Sequence, residues 1–218
     1  MKLTDLFRVT KEDNYKVLRI LVECFREDPL YQKLIPKREE RMRMLPELME
    51  CDAEEMLDIC DVYADSPEIN SLVIVDDDTE QYHYLSYYAK EAFYALKADA
   101  FLVKEDMSLK TLWNFLIGRQ YLNAAWTREL PQERRMHLIY FAVRPAFQGT
   151  GLAHRTILPV LRYADREGIH TSLETHNAKN LPIYAHYGFT LFRVMESHFH
   201  LRQFCLVREP ETAQRAAP

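Results

Sequence analysis

The 218-residue sequence predicts a mixed α/β fold, with helices and strands layered together. Three observations carry that reading. His137–Val143 (HLIYFAV) is an unbroken apolar run of strand length, the pattern of a strand covered on both faces. Leu152, Ala153, Ile157, Val160, Leu161 and Ala164 then recur at helical spacing until Gly168 stops the helix. Two further strands, Ile169–Thr175 and Phe189–Met195, flank a short helix over Leu181–Tyr187 that ends at Gly188, and a last strand is expected in His198–Val207.

The earlier elements follow in chain order. Leu6–Thr10 reads as a short strand. Lys11–Glu12–Asp13 opens a helix with acidic residues where the helix dipole favours them. Val17, Leu18, Leu21, Val22 and Phe25 form its apolar stripe, and Asp28–Pro29 is expected to end it. Arg38–Leu57 is a second helix with Met42, Leu45, Leu48, Met49 and Met56 inward; Pro46 within it, like Pro159 in the later helix, predicts a break or kink. Asp61–Ala64 and Ser71–Val75 are strands around a Ser-Pro turn. Asp76–Asp77–Asp78 reads as a solvated turn rather than a metal loop, because no EF-hand spacing follows. Glu80–Asn123 is helical and rich in rings: Tyr82, Tyr84, Tyr87, Tyr88, Phe93 and Tyr94, then Trp113, Phe115 and Tyr121. Those rings suit a helix core first and the wall of a pocket for an apolar or cationic ligand second. From Glu209 onward the chain reads as a frayed tail.

Composition narrows the function. Hydrophobic residues make up 48% and charged residues 28%, enough apolar surface to bury a core. A net charge of −5 argues against a general nucleic-acid binder. No stretch approaches the roughly 18 apolar residues of a membrane span, and MKLTDLFRVTKED lacks an apolar signal core. The scattered cysteines, Cys24, Cys51, Cys60 and Cys205, contain no CxxC, so the expectation is a reduced, cytoplasmic protein without a metal. Cys205 reads as a small core residue rather than a nucleophile.

The informative segment is Val143–Ile157 (VRPAFQGTGLAHRTI). A strand ends at Pro145, a turn with Gly149 and Gly151 follows, and a helix starts at once. The glycines let the backbone approach a bulky anion, and the first N–H groups of the helix have no intrahelical partner. Together with the helix dipole they suit a pyrophosphate, to which Gln148 can add a side-chain amide. The segment is neither a P-loop nor a GxGxxG dinucleotide turn.

Here the sequence resembles a family. Gln148-Gly149-Thr150-Gly151-Leu152-Ala153 matches the Q/R-x-x-G-x-G/A acetyl-CoA motif of the GNAT superfamily N-acetyltransferases. Asn177, Tyr184 and Gly188-Phe189 match the second signature, N-x6-Y-x3-G-F. The wording LETHNAKNLPIYAHYGF, with Pro159 in the preceding helix, most resembles the branch that includes puromycin N-acetyltransferase. The match is strong over about 136–194.

The resemblance implies a mostly antiparallel central sheet flanked by helices, fourth and fifth strands splayed apart, and a helical insertion between the third and fourth strands at 79–127. A single acetyltransferase domain would span 1–208, with the acetyl-CoA-binding core at 136–194 and a tail at 209–218. It implies direct acetyl transfer through a tetrahedral intermediate to a primary amine, with the insertion roofing a small acceptor. The pantetheine arm would pair with the backbone of Phe141, Ala142 and Val143, and the pyrophosphate with the N–H groups of Gln148, Gly149, Thr150, Gly151, Leu152 and Ala153. Tyr184 matches the general acid, with simple cofactor packing as its alternative. Asn177 matches a cofactor contact, though an Asn before a helix also serves as an N-cap. His137, which suits neutral pH, and Glu174 are rival candidates for the base; a water chain is the third. His154 and His176 read as surface or cofactor-rim residues. A non-catalytic CoA-binding module is the alternative function, and late strands such as Phe199–Val207 suit either a homodimer interface or the core.

Overall fold

The computed structural model describes residues 1–77, 84–106, 109–122, 124–130, 134–196 and 198–211. Among them seven strands form one sheet in the order β1-β2-β3-β4-β5-β7-β6. The strands are β1 (Phe7–Arg8), β2 (Asp61–Ala64), β3 (Ser71–Asp77), β4 (Arg135–Val143), β5 (His170–Thr175), β6 (Thr190–Glu196) and β7 (Arg202–Arg208). β4 and β5 run parallel; the other neighbours pair antiparallel. The helices are α1 (Asn14–Phe25), α2 (Pro29–Leu34), α3 (Arg38–Ile59), α4 (Tyr84–Glu105), α5 (Lys110–Gly118), α6 (Leu152–Glu167) and α7 (Leu181–His186).

Alternation along β3 splits the core between two faces. Leu72 and Ile74 face α1, α2 and α3, where Val17, Ile20, Leu21, Leu34, Met44 and Leu45 are buried. Val73 and Val75 face α6, against Ile157, Val160, Leu161 and Ala164. The stripe on α6 is the one its spacing predicts, and Gly168, at φ 66°, ends the helix in the left-handed conformation.

Several expectations are corrected. Asp28–Pro29 does not merely end a helix: the Asp28 carboxylate accepts the Leu30 N–H at 2.8 Å and Pro29 is the first residue of α2, the arrangement in which proline loses no useful donor. Pro46 and Pro159 interrupt neither α3 nor α6; one missing backbone bond is outweighed by the packed face on either side. Asp76 and Asp77 are not a solvated turn but extend β3, opposite His137 and Met136, and Asp77 is buried; Asp78 lies outside the described residues. His198–Leu201 turns, with Phe199 and His200 at positive φ, so the last strand starts at Arg202. In the aromatic insertion Phe93 and Trp113 are exposed and Tyr121 is buried; Tyr82 and the side chains of Tyr84, Tyr87 and Tyr88 fall outside the described set.

β4 is the element that departs furthest from its pattern. Its apolar run is covered unevenly: Met136, Leu138 and Ala142 are buried, the rest half-buried. The register with β3 jumps between Ile74↔Tyr140 and Val75↔Leu138, so Ile139 is an extra residue. Such a bulge flips the face of everything beyond it. Leu138 and Phe141 both pack toward α6, whereas Tyr140 and Ala142 pack toward α1 and α3.

The sheet is tied to α6 by Arg208, whose guanidinium grips Asp165 through two bonds of 2.8 Å and donates to the Tyr187 carbonyl. Burial alone would raise the Asp165 carboxyl; Arg208 and the Glu211 N–H outweigh it and hold it below the usual range. Arg208→Met is therefore expected to lower stability by about 3 kcal/mol at pH 7, since it strands a partly buried carboxylate. The loss should shrink below about pH 3.8, where the unfolded-state carboxyl also takes up its proton. Urea midpoints at pH 7 and pH 3.5 check both statements.

Candidate active site

The site begins where β4 and β5 stop pairing. Their ladder runs from Arg135↔His170 to Leu138↔Leu173 and ends there, although β4 continues to Val143 and β5 to Thr175. β5 pairs onward with β7 and β4 with β3. The expected splay is thus present, and the side of β4 over residues 139–143 that faces β5 has no strand partner among the described residues. Phe141, Ala142 and Val143 lie on this stretch. The Val143 carbonyl is already used, accepting from Gln148 Nε2 at 3.1 Å and from Cys24 Sγ at 3.5 Å.

Next to the gap is the start of α6. Gly149 and Gly151 have φ of 77° and 80°, a region L side chains rarely adopt, and no protein atom crowds their open side. Gly151 caps α6 without any side-chain bond, so the N–H groups of Leu152 and Ala153 keep no side-chain acceptor there. Thr150 Oγ1 donates to the Phe147 carbonyl at 2.7 Å. Gln148 and Thr150 therefore brace the turn with their side chains; the Gln148 amide is spent on Val143 rather than held out, as the sequence suggested, toward an anion. The turn fits a pyrophosphate through its backbone.

Tyr184 approaches the gap from α7. It is 9% exposed, and among the described residues nothing hydrogen-bonds its hydroxyl. Burial, then the charges of Asp28 and Glu174, push that hydroxyl up to about 12. Asp28 comes from the α1–α2 turn and Glu174 from β5, so carboxylates from two elements act on Tyr184. The importance of Asp28 escaped the sequence reading, which saw only a helix stop. Burial raises its own carboxyl to about 6, against the Leu30 N–H.

His137 and Glu174 are not rivals in space. His137 Nε2 lies 3.1 Å from Glu174 Oε2, and His137 Nδ1 lies 2.9 Å from Ser172 Oγ. Trp126, from the end of the insertion, donates its indole N–H to the same Glu174 oxygen at 2.9 Å. Its ring meets that of His137 edge-on at 6.2 Å. Burial opposes the charge on Glu174, but His137, Trp126 and His176 outweigh it and hold the carboxyl below its ordinary value. Both nitrogens of His137 are engaged within the protein. Glu174, with one oxygen taken twice, presents the acceptor.

Four further residues are placed as follows. Asn177 Oδ1 accepts the Lys179 N–H at 3.1 Å, so it caps the turn before α7. Cys205 is buried, with its thiol pushed up to about 12 by burial, as befits a core residue. His154 is exposed and stacks on Tyr187. His176 is half-buried, edge-on to Tyr121 at 6.0 Å, with its Nε2 buried. Among the described residues no cluster of His, Cys, Asp or Glu side chains is placed to hold a metal ion, and no helix is long and apolar enough to cross a membrane.

With this geometry in view, the comparisons are specific. The model of the acetyltransferase (GNAT) family matches residues 59–189, more than half of the chain. An uncharacterized N-acetyltransferase of Schizosaccharomyces pombe is 32% identical over 87 residues, 37% of this chain and 34% of that protein. The match thus spans about a third of the relative's length. Among solved structures, a Corynebacterium glutamicum protein described as a histone acetyltransferase and related acetyltransferase aligns over 100% of this chain and 99% of its own, with TM-score 0.60 and 18% identity. Arylalkylamine N-acetyltransferase 2 of Aedes aegypti aligns over 94% and 97%, with TM-score 0.54 and 12% identity. The polyamine N-acetyltransferase of Drosophila melanogaster aligns over 94% and 98%, with TM-score 0.52 and 15% identity.

Burial pulls His176 down to about 4, against the attraction of Glu174. An unfolded histidine titrates near 6.5, so the unfolded chain binds this proton first as pH falls. Stability is therefore lost between about pH 6.5 and 4, by about 2–3 kcal/mol. His176→Leu should lack that loss. Urea unfolding of both proteins across the interval should show their stability difference growing with acidity; a constant difference contradicts the enclosed neutral imidazole.

Proposed function

We propose that this chain, which belongs to the acetyltransferase (GNAT) family, is an N-acetyltransferase that moves an acetyl group from acetyl-CoA directly to the primary amine of a small molecule. The observation that carries the reading is the gap between β4 and β5, opening beside an uncapped, glycine-bearing helix start. Structural neighbours named for arylalkylamine and polyamine acetylation support an amine acceptor.

The donor supplies a thioester, whose carbonyl carbon is the electrophile. The N–H groups from Gly149 to Ala153 hold its pyrophosphate, aided by the positive end of α6. The free side of β4 at 139–143 lines its pantetheine arm, and a backbone N–H there polarises the carbonyl. Asn177 acts by fixing the turn that presents Tyr184.

An amine with a pKa near 10 arrives protonated. Glu174 receives the ammonium, with His137 and Trp126 orienting the carboxylate. Its lowered pKa makes it a good counter-ion and a weak base, so the pair relays the proton outward rather than storing it. Tyr184 stays protonated and faces the departing sulfur. A thiol titrates near 8.5. Complete transfer from a hydroxyl at about 12 is therefore uphill by roughly 5 kcal/mol. Tyr184 thus works as a hydrogen-bond donor to the developing thiolate; as its proton passes to sulfur, the proton that the newly acylated nitrogen sheds replaces it.

Thiol release with acetyl-CoA and a broad panel of primary amines tests the reading. Tyr184→Phe should lower kcat at least about tenfold while leaving acetyl-CoA affinity nearly intact. Glu174→Gln should lower kcat/KM for the amine by about a hundredfold. Unchanged turnover in Tyr184→Phe removes the donor role. No release with any amine, from protein that binds acetyl-CoA, would favour a CoA-holding module.

A further inference from the structure

The extra residue at Ile139 decides which side chains share a face with Glu174. Leu138 and Leu173 pack toward α6, so alternation turns His137 and Glu174 to the opposite face. Without the bulge Tyr140 would follow Leu138 toward α6. With it, Tyr140 joins His137 and Glu174 on the face covered by α1 and α3. Tyr140 is three positions along β4 from His137, roughly 10 Å at the rise of a strand.

A second acidic site lies there. Tyr140 donates its hydroxyl to Asp52 Oδ2 at 2.7 Å, and the Tyr31 hydroxyl lies 3.3 Å from that of Tyr140. Phe25 meets the Tyr140 ring edge-on at 5.2 Å. Asp52 breaks the pattern of α3: it continues the buried stripe of Leu45, Leu48 and Met49, where an apolar residue is expected. A carboxylate in such a position is costly unless a cation pairs with it. Among the described residues neither Asp52 nor Glu55, three residues on, has a Lys, Arg or His at ion-pair distance. Their neighbours on α3 do: Glu54 pairs with Lys97, and Asp58 with Lys11 and Lys90. Burial raises the Asp52 carboxyl against the bond from Tyr140, and burial, Asp52 and Glu91 push Glu55 up to about 7. The site is reachable from solvent. Asp28, Asp52, Glu55 and Tyr140 are half-buried, and the Glu174 side chain is 18% exposed.

Resting on the acetyltransferase reading above, we infer that Asp52 and Glu55, together with the rings of Tyr31 and Tyr140, form a subsite for a second ammonium group, so that the acceptor is an α,ω-diamine. One end meets Glu174 for transfer and the other reaches Asp52. The charge of Asp28 acts on both Tyr31 and Tyr184, so a further carboxylate serves the stretch that links the two ends. The chemistry selects the group. An ammonium supplies the counter-charge that Asp52 and Glu55 lack, with three N–H donors for their free oxygens. Aromatic rings around it suit a cation. A carboxylate at that end would be repelled. An alkyl end would leave the two carboxyls without a partner, which is how a polar site rejects an apolar analogue.

The test uses the full chain with acetyl-CoA and α,ω-diamines of three to eight methylenes. Each is paired with the alkylamine and the ω-amino acid of the same chain length. The expected result is a kcat/KM for one diamine about ten- to a hundredfold above both of its counterparts. In Asp52→Asn the diamine-to-alkylamine ratio should fall toward one, chiefly through KM for the diamine, while thermal stability holds or rises because an uncompensated carboxyl is gone. A merely structural Asp52 would instead lower stability and leave the ratio unchanged. Glu55→Gln, which has no bond within the described residues to lose, should lower the ratio in the same direction and decides the matter where Asp52→Asn does not fold. Amines acetylated with no diamine preference overturn the subsite while the acetyltransferase reading stands, and so does a preference that the variants leave intact. If no amine is acetylated, that reading fails and thermal melting decides the subsite. A diamine that raises the Tm more than its alkylamine does, with the excess lost in Asp52→Asn, upholds it; equal shifts overturn it.

Discussion

Everything proposed for this protein depends on β4 and β5 ceasing to pair after Leu138 and Leu173. A parallel pair in mid-sheet would normally continue, because unpaired backbone groups inside a fold are unfavourable. Two features make the separation tolerable here. β4 stays paired with β3 on both sides of the extra residue at Ile139, and β5 stays paired with β7 to its end. The gap left behind is bordered by backbone on one side and by the start of α6 below it. A chain segment that needs backbone partners and ends in a phosphate group is what such a gap accommodates.

The same gap organises the electrostatics. Tyr184 reaches it from α7, Asp28 from the α1–α2 turn, and Glu174 from β5. Three carboxylate and hydroxyl groups around one opening cannot all ionise without strong repulsion, and each responds differently. Asp28 is pushed up by burial, Tyr184 is pushed out of the ionising range, and Glu174 alone is pulled down, by His137 and Trp126. Two carboxylates, one raised and one lowered, beside a hydroxyl that stays protonated are an arrangement that suits an ammonium ion.

Most of the fold was readable from the sequence because the rules behind it are local. The α6 stripe, Gly168, Gly188 and the glycine turn are fixed by residues a few positions apart. What escaped depends on partners far along the chain. Asp28 looks like a helix stop until the fold lets its charge act on Tyr184 of α7. Asp77 looks like turn until Met136 pairs with it. The bulge at Ile139 has no signature in an all-apolar run. The candidate site divides along the same line: the motif residues Gln148–Ala153, Asn177 and Tyr184 were legible through resemblance, and His137 and Glu174 through their strand positions. That these last two share one hydrogen bond, with Trp126 as a third member, required the parallel register of β4 against β5. Asp52 could not be found at all by periodicity, since its bond to Tyr140 is a property of the assembled fold.

The most direct test of this account is a calorimetric titration of the purified protein with acetyl-CoA, run beside ATP and NAD. A gap that takes a pantetheine arm and a helix start that takes a pyrophosphate should together bind acetyl-CoA with a Kd on the order of micromolar, and should bind the two nucleotides far more weakly because neither carries the arm. Folded protein that gives no heat with acetyl-CoA, or that binds all three alike, would contradict the central claim.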